Sequence, residues 1–238
     1  MTEAPLFLSR IALSRQVSAA ALAPLVLPAA DGARAGAPHH LLWSLFADSP
    51  ERTRDFLWRE EDAGRGWQGR RFLTLSRRLP VDRHALFELE SQEFAPRLQP
   101  GDRLRFQLRA NPSVAQSQPG RGRSKRIDPL AAALSPLDPA QRKERRQAIT
   151  EAVGRAWLEG HAQRAGFRLP PESEARLTVD GDAWRTLPRG DQAPIRFSML
   201  DFEGTLVVED PALFLTRLAQ GFGPQKTFGC GLMLIRRG

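Results

Sequence analysis

Apolar and polar positions alternate at the start of the chain, and Pro5–Ser14 reads as a strand. An Ala/Pro/Gly-rich stretch follows, in which the apolar run Ala19–Ala30 is interrupted by Pro24 and Pro28. That run is shorter than the roughly 20 residues needed to cross a bilayer. It also trails a strand instead of a basic N-terminus, so it reads as a loop or short helical insertion and not as a membrane span or cleaved signal peptide. A helix is expected to start near Pro38 and to bury Leu42, Trp43, Leu45 and Phe46. Phe56–Trp58 and Arg71–Leu75 form the arms of a hairpin around the turn-rich Glu61–Gly69, and Val81–Phe87 is a weaker helix candidate.

Arg103–Arg109 alternates without a break. Leu104, Phe106 and Leu108 face one side, and Arg103, Arg105, Gln107 and Arg109 face the other, giving a strand with a basic face. Counted in order, the first 112 residues supply strand, helix, two strands, weak helix and strand, the order of a ferredoxin-like fold. Residues 113–139, rich in Pro, Gly, Ser and Arg, read as a basic connector. Ala140–Arg164 restarts a helix whose apolar stripe is Ile149, Val153, Ala156 and Trp157. Phe167–Val179 is ambiguous. Pro194–Asp210 is a long strand or bent hairpin whose alternating phase slips, and a bulge or turn near Asp201 or Gly204 would explain the slip. Asp210 caps a helix with Pro211 in its first turn, Phe214 and Leu218 on its apolar side, and its end at Gly221. Leu232–Ile235 closes the chain as a strand. Residues 140–238 thus repeat the element order of residues 1–112, and the expected architecture is α+β with two ferredoxin-like halves.

Composition narrows the class of partner. The 238 residues carry 35 basic against 27 acidic side chains, a formal charge of +8, and a pI near 11.1. A polyanion is the natural ligand for such a chain. The lysines are Lys125, Lys143 and Lys226, so the positive field belongs mostly to arginine, which forks onto phosphates and stacks on bases. A single cysteine, Cys230, excludes an intramolecular disulfide and a thiolate metal cage, and it fits the reducing cytoplasm. No carboxylate group has diagnostic metal-binding spacing, and no metal or cofactor is expected.

The tail GFGPQKTFGCG places glycines at 221, 223, 229 and 231. Glycines at such spacing either build a tight helix-to-strand turn or open backbone N–H groups to an anion. A dinucleotide loop or P-loop is excluded by order, because those loops run from a strand into a helix. The stretch GFGPQKTFGCGLMLI resembles the C-terminal signature of the CasE-type, type I-E CRISPR repeat-processing endoribonucleases, with Gly221, Gly223, Pro224, Lys226, Gly229, Gly231 and Leu232 in register. RLRFQLRANP (Arg103–Pro112) resembles the central strand of that family, and FEGTLVVEDP (Phe202–Pro211) the segment before its last helix.

The resemblance implies two tandem ferredoxin-like (RRM-like) domains, at 1–112 and 140–238. It implies recognition of a CRISPR repeat RNA hairpin, cleavage at the 3′ side of the stem, and retention of the crRNA among the other Cascade subunits. HHLLWSLF, His39–Phe46, resembles the family's active-site helix and implies His39 as the catalytic histidine, with His40 as the alternative. A helix N-terminus there would favour the neutral imidazole. Relatives carry a tyrosine three residues earlier, but Gly36 stands there and the chain has no tyrosine, which leaves Arg34, His40 or water beside the histidine. The expected RNA-binding set is Gly221, Gly223, Lys226, Gly229 and Gly231 in the loop, with Arg105, Arg109, Arg121, Arg123, Lys125 and Arg126 on the stem phosphates.

Overall fold

A computed structural model describes residues 5–14, 38–47, 54–61, 70–118, 121–181, 185–189 and 192–238. The expected insertion at 19–30, Arg34 and Gly36 lie outside the described residues. The chain divides into two compact units. Unit 1 comprises Met1–Arg97, Leu187–Ile195 and Lys226–Leu232; unit 2 comprises Leu98–Thr186, Arg196–Gln225 and Met233–Gly238.

Unit 1 is built on strands β1 (Phe7–Leu13), β2 (Phe56–Glu61), β3 (Arg71–Ser76) and β4 (Phe87–Glu93), with helix α1 over residues 38–43. The strands form one antiparallel sheet in the order β2-β3-β1-β4, the ferredoxin-like arrangement. One face of that sheet and one face of α1 are apolar, and burying them against each other makes the core. Ile11, Leu13, Phe56, Trp58 and Phe72 meet Leu41, Leu42, Leu45 and Phe46 there. The helix expected over Val81–Phe87 does not form. Asp82 accepts the backbone N–H groups of His84 (3.0 Å) and Phe87 (2.7 Å), and Ala85 takes φ +52°, so the segment turns directly into β4.

Unit 2 holds β5 (Arg103–Ala110), α2 (Pro129–Leu134), α3 (Pro139–Ala162), β8 (Phe167–Arg168), β9 (Thr178–Asp180), β12 (Leu200–Val208), α4 (Pro211–Gln220) and β13 (Met233–Arg237). Its sheet runs β13-β5-β12-β8, with β9 also on β12, which is again the ferredoxin-like order. Arg103–Ala110 therefore opens the second sheet, although the sequence order placed it as the closing strand of the first. Its alternation is as expected, with Leu104, Phe106, Leu108 and Ala110 buried. Alternation specifies which face is apolar but not which strand lies alongside, and the ladder partners are β12 and β13.

Among the described residues, the segment read as a connector holds two paired strands, β6 (Val114–Gln118) and β7 (Arg121–Ile127), and then α2. A second hairpin, β10 (Arg185–Arg189) with β11 (Gln192–Phe197), precedes β12. The bulge or turn expected near Asp201 or Gly204 is instead a break just before them, at Ser198–Met199 between β11 and β12. Buried Asn111 donates to the Ser198 carbonyl (2.7 Å), and Asp128 accepts the Ser198 N–H (2.9 Å) while capping α2.

Asp138 and Gln141 close a capping box on α3, and Asp210 caps α4 through the Leu213 N–H at 3.0 Å. The buried side of α3 is Thr150, Gly154, Trp157, Leu158 and Ala162, rotated by about one residue from the expected stripe. Gly154 accounts for the rotation, because its missing side chain lets Val179 and Phe202 press against the helix backbone. Trp157 stacks on Phe202 with ring centroids 5.6 Å apart.

Candidate active site

His39 lies in the second position of α1, whose apolar residues clamp the helix onto the sheet and so hold the imidazole against Phe56 of β2 and Trp43 of its own turn. Both aromatic centroids are 5.9 Å away, and the Phe56 ring is nearly parallel to the imidazole. The Nδ1 atom is buried with no hydrogen-bond partner among the described residues. Arg54, immediately before β2, is half-buried and acts on the imidazole through its charge.

Burial is the main reason the His39 pKa falls from 6.5 to about 4, followed by the positive charge of Arg54 and then by His40. The expected effect of a helix N-terminus is thus supplied by desolvation and by a guanidinium. At neutral pH His39 is an uncharged imidazole able to accept a proton. His40 is exposed, with its ring 5.9 Å from that of His39.

Arg54 itself donates through Nη1 to the Thr227 hydroxyl at 3.3 Å. Its neighbour Asp55 is committed elsewhere, taking a two-point fork from Arg78 at 2.7 and 3.1 Å. Among the described residues no carboxylate lies within ion-pair reach of Arg54. Burial lowers its own pKa. Neither Arg54 nor Thr227 stood out in the sequence. The signal was faint: Arg54 is one of many arginines, and 173 positions separate it from its partner.

Thr227 sits on a 3-10 turn, Lys226–Phe228, inside the glycine-rich tail. The tail is divided between the units, Gly221–Gln225 belonging to unit 2 and Lys226–Leu232 to unit 1. Gly221, Gly229 and Gly231 are buried, whereas Gly223 and Lys226 are partly exposed. Two of the glycines are required by fit as well as by conformation. A side chain on Gly223 (φ +68°) would meet the Asn111 carbonyl oxygen at 2.7 Å, and one on Gly229 (φ +79°) would meet the Trp58 ring at 3.2 Å. Cys230 is fully buried, and as the single cysteine of the chain it has no intramolecular disulfide.

The remaining candidates divide by exposure. Arg105, Lys125 and Arg126 are exposed. Arg109 is half-buried and forks onto Asp201 at 2.8 and 3.0 Å. Arg121 and Arg123 lie on β7, and their side chains are outside the described residues. In unit 2, half-buried His161 bonds the Trp157 carbonyl at 2.8 Å and lies near Arg164 and Arg217; its pKa is lowered mainly by burial.

Comparison with known proteins resolves the lineage. The family described as CRISPR associated protein matches residues 6–237. The chain belongs to this CRISPR-associated family. Within it the chain is of the CasE/Cse3, type I-E kind: it is 30% identical over 205 residues to the CRISPR system Cascade subunit CasE of Escherichia coli, covering 83% of this chain and 89% of that protein. It is 32% identical over 148 residues to the CRISPR-associated endoribonuclease Cse3 of Thermus thermophilus, covering 60% of this chain and 59% of that one. A solved structure of CRISPR endoribonuclease Cse3 bound to 19 nt RNA superimposes with a TM-score of 0.69 at 28% identity, over 97% of this chain and 99% of the other. The two tandem ferredoxin-like domains of this CRISPR-associated protein are therefore those of its family. No helix among the described residues is long and apolar enough to cross a membrane.

Proposed function

We propose that this CRISPR-associated protein is a metal-independent endoribonuclease. It binds the hairpin of the CRISPR repeat, cleaves pre-crRNA at the 3′ side of the stem, and retains the crRNA as a cytoplasmic subunit of Cascade. The observation that carries the reading is an uncharged, half-buried His39 beside a cation, in a chain similar along nearly its whole length to an RNA-bound endoribonuclease.

RNA carries its own nucleophile, so the protein must align the ribose 2′-hydroxyl with the scissile phosphorus and move protons. His39 accepts the 2′-hydroxyl proton as the oxygen attacks. The P–O5′ bond breaks, the 5′-oxygen takes a proton from water, and the imidazolium later returns its proton to solvent. The products are a 2′,3′-cyclic phosphate and a 5′-hydroxyl. Lys226 and the partly exposed Gly223 backbone serve the RNA strand, and exposed Arg105, Lys125 and Arg126, with Arg121 and Arg123, serve the stem phosphates.

The test is cleavage of a cognate repeat RNA in EDTA by wild type and His39→Ala. The expected outcome is cleavage by wild type, a loss of about 10²-fold or more in the variant, and RNA affinity within about threefold of wild type. Undiminished cleavage by His39→Ala overturns the assignment of the base. Binding without cleavage by wild type leaves a hairpin-binding subunit instead.

A further inference from the structure

We infer that Arg54 is a catalytic residue, contacting a non-bridging oxygen of the scissile phosphate, and that Thr227 is the positioning residue that holds its guanidinium for that contact. The inference rests on the proposed cleavage reaction and adds to it the group that receives the developing negative charge.

Arginines in this protein that stand near carboxylates are taken up by them: Arg78 by Asp55, Arg109 by Asp201, Arg103 by Glu174, and Arg155 by Glu172. Arg54 differs. It is half-buried, its adjacent carboxylate points to Arg78, and its hydrogen bond goes to a neutral hydroxyl. A guanidinium has five donors, so a single bond to Thr227 leaves capacity for an anion. Partial burial also makes a charge with no carboxylate in reach among the described residues costly unless an anion arrives, which is the usual state of a site preorganised for phosphate. The anion the reaction brings beside His39 is the scissile phosphate, and its negative charge grows as the 2′-oxygen adds to phosphorus.

Thr227 provides the geometric hold. Its hydroxyl sits on the turn that follows Gly223–Pro224–Gln225, so the tail contributes a side chain to the His39 neighbourhood as well as backbone to an RNA strand. That role explains a hydroxyl between Lys226 and Phe228, where a simple reversal of the chain would need none.

The experiment measures single-turnover cleavage of repeat RNA by wild type, Arg54→Ala, Arg54→Lys, Thr227→Val and Thr227→Ser. Each is assayed with an ordinary scissile phosphate and with each of its two phosphorothioate diastereomers. Circular dichroism and RNA affinity are checked alongside. Arg54→Ala is expected to slow cleavage about 10²–10³-fold, with Arg54→Lys recovering part of the rate. Wild type is expected to be slowed by one phosphorothioate diastereomer, and that penalty is expected to disappear in Arg54→Ala, which a purely structural role would not produce. Thr227→Val should lose about tenfold in rate with RNA affinity unchanged, and Thr227→Ser should restore it. Loss of the Arg54 charge should also move the acidic limb of the pH profile upward.

Cleavage by folded Arg54→Ala within threefold of wild type overturns the inference, as does a diastereomer penalty that survives the substitution. If Arg54→Ala does not fold, the penalty in Arg54→Lys decides: reduced supports the contact, undiminished refutes it. Full activity in Arg54→Ala with none in His39→Ala removes only the role of Arg54. Full activity in His39→Ala removes the reading on which it rests.

Discussion

His39 combines two properties that seldom coincide at neutral pH, a titratable ring and a nearly complete absence of its charged form. Its pKa of about 4 follows chiefly from burial and secondarily from Arg54. The active base should therefore persist well below the ordinary histidine range. In the free enzyme kcat/KM for repeat RNA should be flat from pH 8 to about pH 5 and fall tenfold per unit only below about pH 4. An acidic limb centred near 6.5 would show instead that the imidazole is solvated and unshifted. The stability consequence has the same origin. Unfolded chains protonate this histidine below about 6.5 while the folded one stays neutral to about 4. The His39 contribution to stability is thus fully present above 6.5 and is lost as pH falls from 6.5 towards 4. The histidine was legible in the sequence through HHLLWSLF, and its neutral form was expected from a helix N-terminus; the causes found, burial and the Arg54 charge, were not legible, because desolvation and Coulomb interaction depend on distances that only folding creates.

Strands and helices announced themselves unevenly. The alternation of β5 and the cap at Asp210 are local signals, and each produced the expected element. The missing helix at Val81–Phe87 and the hairpin β6–β7 depended on a carboxylate taking backbone N–H groups and on strand pairing, neither visible in periodicity. The junction of β11 and β12 is the clearest case, since its two anchors, Asn111 and Asp128, lie 87 and 70 positions from Ser198. Asn111 is fully buried, so Asn111→Ala should destabilise the fold by about 1–3 kcal/mol. Urea unfolding would measure this as a lower midpoint with an unchanged m-value. A midpoint equal to wild type would mean that the junction is held by other bonds.

The excess of basic side chains, +8 over the whole chain, makes affinity for repeat RNA an ionic-strength experiment. Binding constants measured between 50 and 300 mM salt should fall linearly on a logarithmic plot. Replacing Arg105, Lys125 or Arg126 by Ala should each reduce the slope by about 1. Arg109→Ala should leave it unchanged, because that guanidinium is already held by Asp201. By itself the sequence determined what is local or compositional: a basic excess suited to a polyanion, the amphipathic faces, the cap at Asp210, and glycine where Gly223 and Gly229 adopt positive φ. It also carried the motif that singled out His39. The tertiary structure decided what depends on through-space neighbours. It placed Arg103–Ala110 in the second sheet, paired Arg109 with Asp201, and set Arg54, with no carboxylate in ion-pair reach among the described residues, on the Thr227 hydroxyl. Pairing, desolvation and charge coupling act across distance in space, and the order of residues along a chain does not contain that distance until the chain has folded.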